Sequence, residues 1–381
     1  MATLRIAWHD YNMGEDGFNI YRSDTPMSLD SMPSPIASVG PNVGAYNDTT
    51  VTGGNEYYYR VGVLRNGSEL IGPEYTQLAG KLTLVSGSRD QTVKKIDPDG
   101  NEVWTFTGHT GRITGIAVDS NGNVYTGSND NTVKKIDSSG NEVWTFTGHT
   151  DNINSVVVDS NGNVYTGSVD NTVKKIDSSG SEVWTFTGHT SRIYGVAVDS
   201  NGFVYATGNY DNETVRKIDP SGNEVWSFES NANGNPNGYE RTRILSVAID
   251  SSYNIYSSTT DGVMKKIDSD GNYMWTFESN ENGNPDGHTG RIESIAIDSA
   301  DNIYTASSEG TIKKIDPNSN YVSTIYEISD TFQGIAIDLN DNIYIGSTGN
   351  DVKKIDLDGN IIWSNILHSD YTECVAVNTY Y

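Results

Sequence analysis

The chain has 381 residues, 50 acidic against 25 basic side chains, a formal net charge of −25 and a single cysteine. That charge disfavours nucleic acid and anionic membrane as partners. One cysteine excludes an internal disulfide, no stretch reaches the ~18 apolar residues of a membrane-spanning helix, and no apolar signal core stands near the start.

Residues 1–79 read as a small all-β domain. Strand-like runs are Leu4-Arg5-Ile6-Ala7-Trp8, Gly17–Ser23 and Tyr57–Val63, and the segment 24–50, rich in Pro, Ser and Gly, resists division. A boundary falls near Leu78–Lys81 with almost no linker, so residues 80–381 form a second domain.

That second domain is a repeat array. His109–Gly148 overlays His149–Gly188 without a gap, and of about 40 positions about 8 differ. Each unit holds four short runs rich in Val, Ile, Tyr, Trp and Thr. Turns such as Ser120-Asn121-Gly122-Asn123 separate them and supply the positive φ of tight hairpins. The unit is expected to be a four-stranded antiparallel sheet with strands Ile116–Val118, Val124–Ser128, Thr132–Asp137 and Glu142–Thr147. Sheets repeating every ~40 residues bury their faces by stacking around an axis. The marker Lys-Lys-Ile-Asp and its variant Arg216–Asp219 occur seven times, which predicts seven blades. The array opens on a second strand, Leu84–Ser88, and finishes on a first strand, Cys374–Val377. The last segment is therefore expected to complete the first blade and close the ring.

Two inserts break the symmetry. Residues 229–238 precede the fifth blade and 278–287 the sixth. Asn231, Asn233, Asn235, Asn237, Asn280, Glu281, Asn282, Asn284 and Asp286 on these loops are the candidate partner-binding residues, since long loops on rigid scaffolds often carry binding.

The repeat resembles WD-repeat propellers. His109, His149, His189, His288 and His368 match that family's loop histidine, and Asp130 and Asp170 its turn aspartate. Ile-Asp replaces the family's Trp-Asp, which implies an incomplete side-chain tetrad. The spacing Asp-x-x-Gly-x-x-x-Trp also resembles quinoprotein-type propellers, whose indoles dock on the next blade; it places Trp104, Trp144, Trp184, Trp226, Trp275 and Trp363 in that role. Ser319 and Ser323 break the motif in the sixth blade, so that blade's interface is expected to be the weakest. The first domain resembles a fibronectin type III sandwich, with Trp8 as its core tryptophan and Tyr57 as its corner tyrosine. That family's first strand would precede Leu4, so the sandwich is either one strand short or completed by another polypeptide. The pairing of domains resembles a phage virion component, which implies a tail, neck or capsid appendage present in several copies, other virion proteins as partners of the first domain, and a host-surface glycan or protein for the propeller. A bacterial surface adhesin and a propeller enzyme of the lyase or quinoprotein kind are the alternatives.

The chemistry expected of the repeated residues is structural. The histidines come one per blade and stand roughly 10 Å or more apart, too far for one metal ion. The Asp-x-Asn-Gly-Asn turns faintly resemble calcium loops, but hairpins favour the same residues without metal. No catalytic residue, cofactor or metal is assigned. Near-identical blades argue against one special site. Cys374 is expected to be a buried thiol.

Overall fold

The computed structural model describes residues 4–7, 15–41, 45–48, 50, 56–72, 75–78, 83–208, 214–229, 242–278, 287–338 and 341–378. It divides into two compact units, Met1–Leu82 and Thr83–Tyr381. Trp8 and the nine candidate partner-binding residues on the two inserts lie outside the described residues.

In the first unit, Ala37–Val39, Gly17–Ser23, Glu56–Arg65 and Ser68–Ile71 pair in that order, and Tyr75–Leu78 pairs the other half of Glu56–Arg65. Leu4–Ala7 pairs Ala45–Asp48 separately. Ile6 from this pair joins Phe18, Ile20, Tyr57, Tyr59 and Val61 in one apolar cluster. Tyr57 is buried, with the Arg22 guanidinium 5.1 Å from its ring centroid. Tyr59 is fully buried and donates its hydroxyl to Asp48 at 3.0 Å.

The second unit contains seven four-stranded antiparallel sheets among the described residues. Sheet 1 runs Thr372–Val377, Leu84–Ser88, Val93–Ile96, Glu102–Phe106; sheet 2 runs Ile113–Val118, Val124–Ser128, Val133–Ile136, Glu142–Phe146. The first strands of sheets 3 to 7 are Ile153–Val158, Ile193–Val198, Ile244–Ile249, Ile292–Ile297 and Phe332–Ile337. Each first strand packs beside the first strands of both neighbouring sheets, and the circuit returns from Phe332–Ile337 through Thr372–Val377 to Ile113–Val118. The C-terminal strand closes it by pairing Cys374 with Gly87, Val375 with Ser86 and Val377 with Leu84. Apolar clusters lie between successive sheets: Val85, Val93 and Phe106 of sheet 1 meet Ile113, Ile116, Val124 and Ile136 of sheet 2.

The first strand starts earlier than its sequence implies. It begins at Ile113, not Ile116, because a bulge interrupts the ladder between Ile113 and Gly115. The bulge breaks the period-two pattern by which a strand is recognised.

The indoles link neighbouring sheets. Trp104 donates Nε1–H to the Ser138 carbonyl at 3.2 Å, Trp275 to Pro317 at 3.2 Å and, across the closure, Trp363 to Pro98 at 2.9 Å. Each ring lies against the turn of the next sheet. At Gly140, with φ +94°, an added Cβ would sit 3.0 Å from Trp104. This direction corrects the expectation of one doubly weakened interface. Ser319 belongs to the turn that receives Trp275, adopts φ +71° and still allows docking. Ser323 should reach the following turn, at Gly359, so its loss falls on a different interface. There a bulge brings the Ile325 carbonyl against Gly359, and Tyr326 stacks on Phe332 at 6.1 Å.

Candidate functional site

Most polar residues of the repeat are engaged within their own sheet or its neighbour. His109 Nδ1 lies 2.8 Å from Asp130 and its Nε2 2.8 Å from Thr126. His149 repeats this with Asp170 and Thr166, and His288 with Glu309 and Thr305. Burial raises the Asp130 carboxyl, but hydrogen bonds from His109, Thr132 and the Thr110 amide outweigh it and hold the group well below the carboxylate range. His368 uses Ser86 and Thr92, and Asp90 beside it is held down to about 2, its hydrogen bonds outweighing burial. His189 differs. Its buried Nε2 has no hydrogen-bond partner among the described residues, because Ala206 stands where Thr126 stands in sheet 2. Burial, with Arg216 nearby, pushes its pKa down to about 3. Sheet 7 replaces both partners with apolar residues, Ile328 and Ile345.

The lysines and turn aspartates are likewise engaged. Lys134 pairs with Glu142 at 2.9 Å, while Lys135 lies 5.3 Å from the centroid of Tyr125, whose hydroxyl donates to Asp119 at 3.0 Å. Asp119 Oδ1 accepts from the amides of Asn121 and Asn123, and Oδ2 from the Asn123 side chain. Hairpin amides and Tyr125 thus use the oxygens that a cation would need. No group of three potential ligands forms among the described residues.

A different set of residues meets at the axis. The bulge in the first strand recurs in all seven sheets, between Ile113 and Gly115, Ile153 and Ser155, Ile193 and Gly195, Ile244 and Ser246, Ile292 and Ser294, Phe332 and Gly334, and Thr372 and Cys374. A bulge leaves one residue without a ladder partner and re-aims its side chain. Those residues are Thr114, Asn154, Tyr194, Leu245, Glu293, Gln333 and Glu373, and all seven line one cavity of about 160 Å³. Sevenfold architecture thus presents seven positions holding six residue types.

The axial carboxylates are tied to arginines. Glu373 lies 3.1 Å from Arg89 and 3.7 Å from Arg112, and Glu293 lies 3.2 Å from Arg291. Burial pushes Glu293 above its ordinary value despite Arg291, and the charge on Glu373 adds to the rise. Gln333, between them in the ring, makes no side-chain hydrogen bond among the described residues. Cys374 is half-buried on the cavity wall, its thiol held neutral by burial.

The near-identity of the sheets thus stops at the axis, where the bulge residues differ from sheet to sheet. The signal was present in the sequence. His109–Gly148 and His149–Gly188 differ at eight positions, and six of these are 111, 112, 114, 115, 116 and 117, in the lead-in and first strand. The residue just before the first strand is Arg112, Arg192, Arg243 or Arg291 in four sheets; in the other three the residue one step earlier is Asp151, Asp330 or Asp370.

Comparison with known proteins agrees with this architecture. The family model of outer membrane protein assembly factor BamB matches residues 89–201. The WD40 β-propeller domain of Doa1 is 20% identical, with a TM-score of 0.60, over 72% of this chain and 89% of that one. The computationally designed Ika8 protein is 21% identical, with a TM-score of 0.58, over 77% of this chain and 86% of that one. None of the curated proteins matches. At such identities the likeness defines the fold: this is a β-propeller protein with repeats similar to those of BamB and neighbours among WD40 propellers.

Proposed function

We propose that the chain is a non-enzymatic interaction protein that binds its partner at the axial face of a seven-bladed propeller. The observation that carries this reading is where the repeats differ. Histidines, tryptophans, lysines and turn aspartates recur and serve the scaffold, whereas the axial bulge residues change from sheet to sheet. A scaffold kept constant while one face varies is the pattern of a display platform. The two inserts run, in sequence, straight into the lead-ins that carry Arg243 and Arg291.

In this reading residues 1–79 form a fibronectin type III-like docking module, and the whole is a virion appendage of a phage that presents the propeller to a host surface in several copies. Repetition in a symmetric particle would raise avidity without new contacts. No metal or cofactor takes part. Quantitative mass spectrometry of purified particles from the encoding genome tests the reading. A copy number matching a capsid or tail symmetry is expected; absence from intact particles would overturn the virion assignment. The second reading, a bacterial surface adhesin, draws on the polar character of the axial cavity, and cell-surface labelling of the producing bacterium would favour it.

A further inference from the structure

We propose that the axial cavity and its arginine rim bind one carboxylated sugar residue at the end of an acidic glycan. This deepens the binding-platform reading and rests on it.

Size sets the first limit. A cavity of about 160 Å³ lined by side chains of all seven sheets holds a small ligand such as a single sugar ring. The wall chemistry sets the second. Gln333, Glu293 and Glu373 stand on three consecutive sheets and offer planar amide and carboxylate groups, which hydrogen-bond neighbouring hydroxyls in pairs. Tyr194 and Leu245, on sheets 4 and 5, supply an aromatic and apolar side, which suits the C–H face of a sugar ring. Asn154 already donates its amide to the Ile193 carbonyl at 2.7 Å, which fixes its oxygen on the wall.

The rim sets the third. Arg192, Arg243 and Arg291 precede the first strands of three consecutive sheets, 4, 5 and 6, whereas Asp330 and Asp370 precede those of sheets 7 and 1. Arg112 and Arg291 at this lead-in position reach the axial Glu373 and Glu293, so the lead-ins of sheets 4, 5 and 6 bring positive charge towards the axial face of a chain whose formal net charge is −25. Among the described residues Arg192 is exposed and makes no ion pair. Guanidinium groups pair with a carboxylate in a two-bonded fork. A doubly charged phosphate would meet stronger repulsion from Glu293 and Glu373, so a singly charged carboxylate fits better.

The test is titration calorimetry of the full chain with four probes: a hexuronate disaccharide, the corresponding neutral disaccharide, an oligoglutamate peptide and inorganic phosphate. The hexuronate sugar should bind most tightly and lose affinity with salt. Arg192→Gln should weaken it about tenfold, as expected for lost charge-assisted hydrogen bonds, without changing the melting temperature. Gln333→Ala should weaken both sugars alike. Equal binding of the neutral disaccharide, or tighter binding of peptide or phosphate, would overturn the ligand class while leaving the platform reading intact. Cleavage of the bound disaccharide would sustain the ligand class and overturn the non-enzymatic reading. Binding of none of the probes overturns the inference, and particle mass spectrometry then judges the platform reading separately.

Discussion

Ala206→Thr should stabilise the propeller. Sheets 2, 3 and 6 supply the histidine Nε2 with a threonine hydroxyl, and sheet 7 removes both partners, whereas sheet 4 removes only the hydroxyl and leaves His189 Nε2 buried and unsatisfied. Deleting both members of a buried hydrogen bond is nearly neutral, but deleting one costs about 1–3 kcal/mol. Threonine already fills the equivalent position as Thr126, Thr166 and Thr305, all fully buried, so the added atoms should fit. After the cost of desolvating and ordering the new hydroxyl, a gain of about 1 kcal/mol is expected. With an unfolding entropy of roughly 2 cal/mol/K per residue over about 300 residues, that gain raises the melting temperature by roughly 2 °C. Scanning calorimetry at pH 7 measures it. Ala206→Val is the control, since it adds the same shape without the hydroxyl. If the threonine variant melts no higher than the valine variant, the argument from the orphaned nitrogen fails.

His189 also gives a pH dependence. Its folded pKa, about 3 by burial, lies below the ordinary imidazole value of 6.5, so the unfolded chain takes up a proton first as pH falls. Stability is thus complete above about pH 6.5 and declines towards pH 3, with about 2 kcal/mol lost from this group by pH 5; His189→Leu should flatten the slope of denaturant stability between pH 7 and 5. His288 and His368, also lowered by burial, act in the same direction. Removing residues 372–381 deletes the strand paired with Leu84–Ser88 and should abolish cooperative melting of the propeller, read by near-ultraviolet dichroism; a retained sharp transition would contradict closure by that strand. Trp363→Ala removes the ring docked on the Pro98–Gly100 turn across the same closure and should cost about 2–4 kcal/mol, measured by urea unfolding. Millimolar calcium should leave the melting temperature unchanged, because the Asp119-type carboxylates already accept hairpin amides; a rise of several degrees would revive a cation role.

Local sequence determined the propeller's sheets. The Asn-Gly turns, the short β-branched and aromatic runs such as Val124–Ser128 and the recurrence of Lys-Lys-Ile-Asp act over a few residues, so they can be read without tertiary context. The offset between an opening second strand and a closing first strand foretold the pairing of Cys374 with Gly87. Tertiary structure alone decided what the first strand does. Its bulge breaks the alternation that would have announced Ile113 as a strand start, and it turns Thr114, Asn154, Glu293, Gln333 and Glu373 towards a common cavity. Stacking order likewise separated the effects of Ser319 and Ser323, since an indole docks on the sheet that follows its own. Arg112, Arg192, Arg243 and Arg291 lie 48 to 80 residues apart along the chain, and only closure of the circuit brings the strands they precede around one axis.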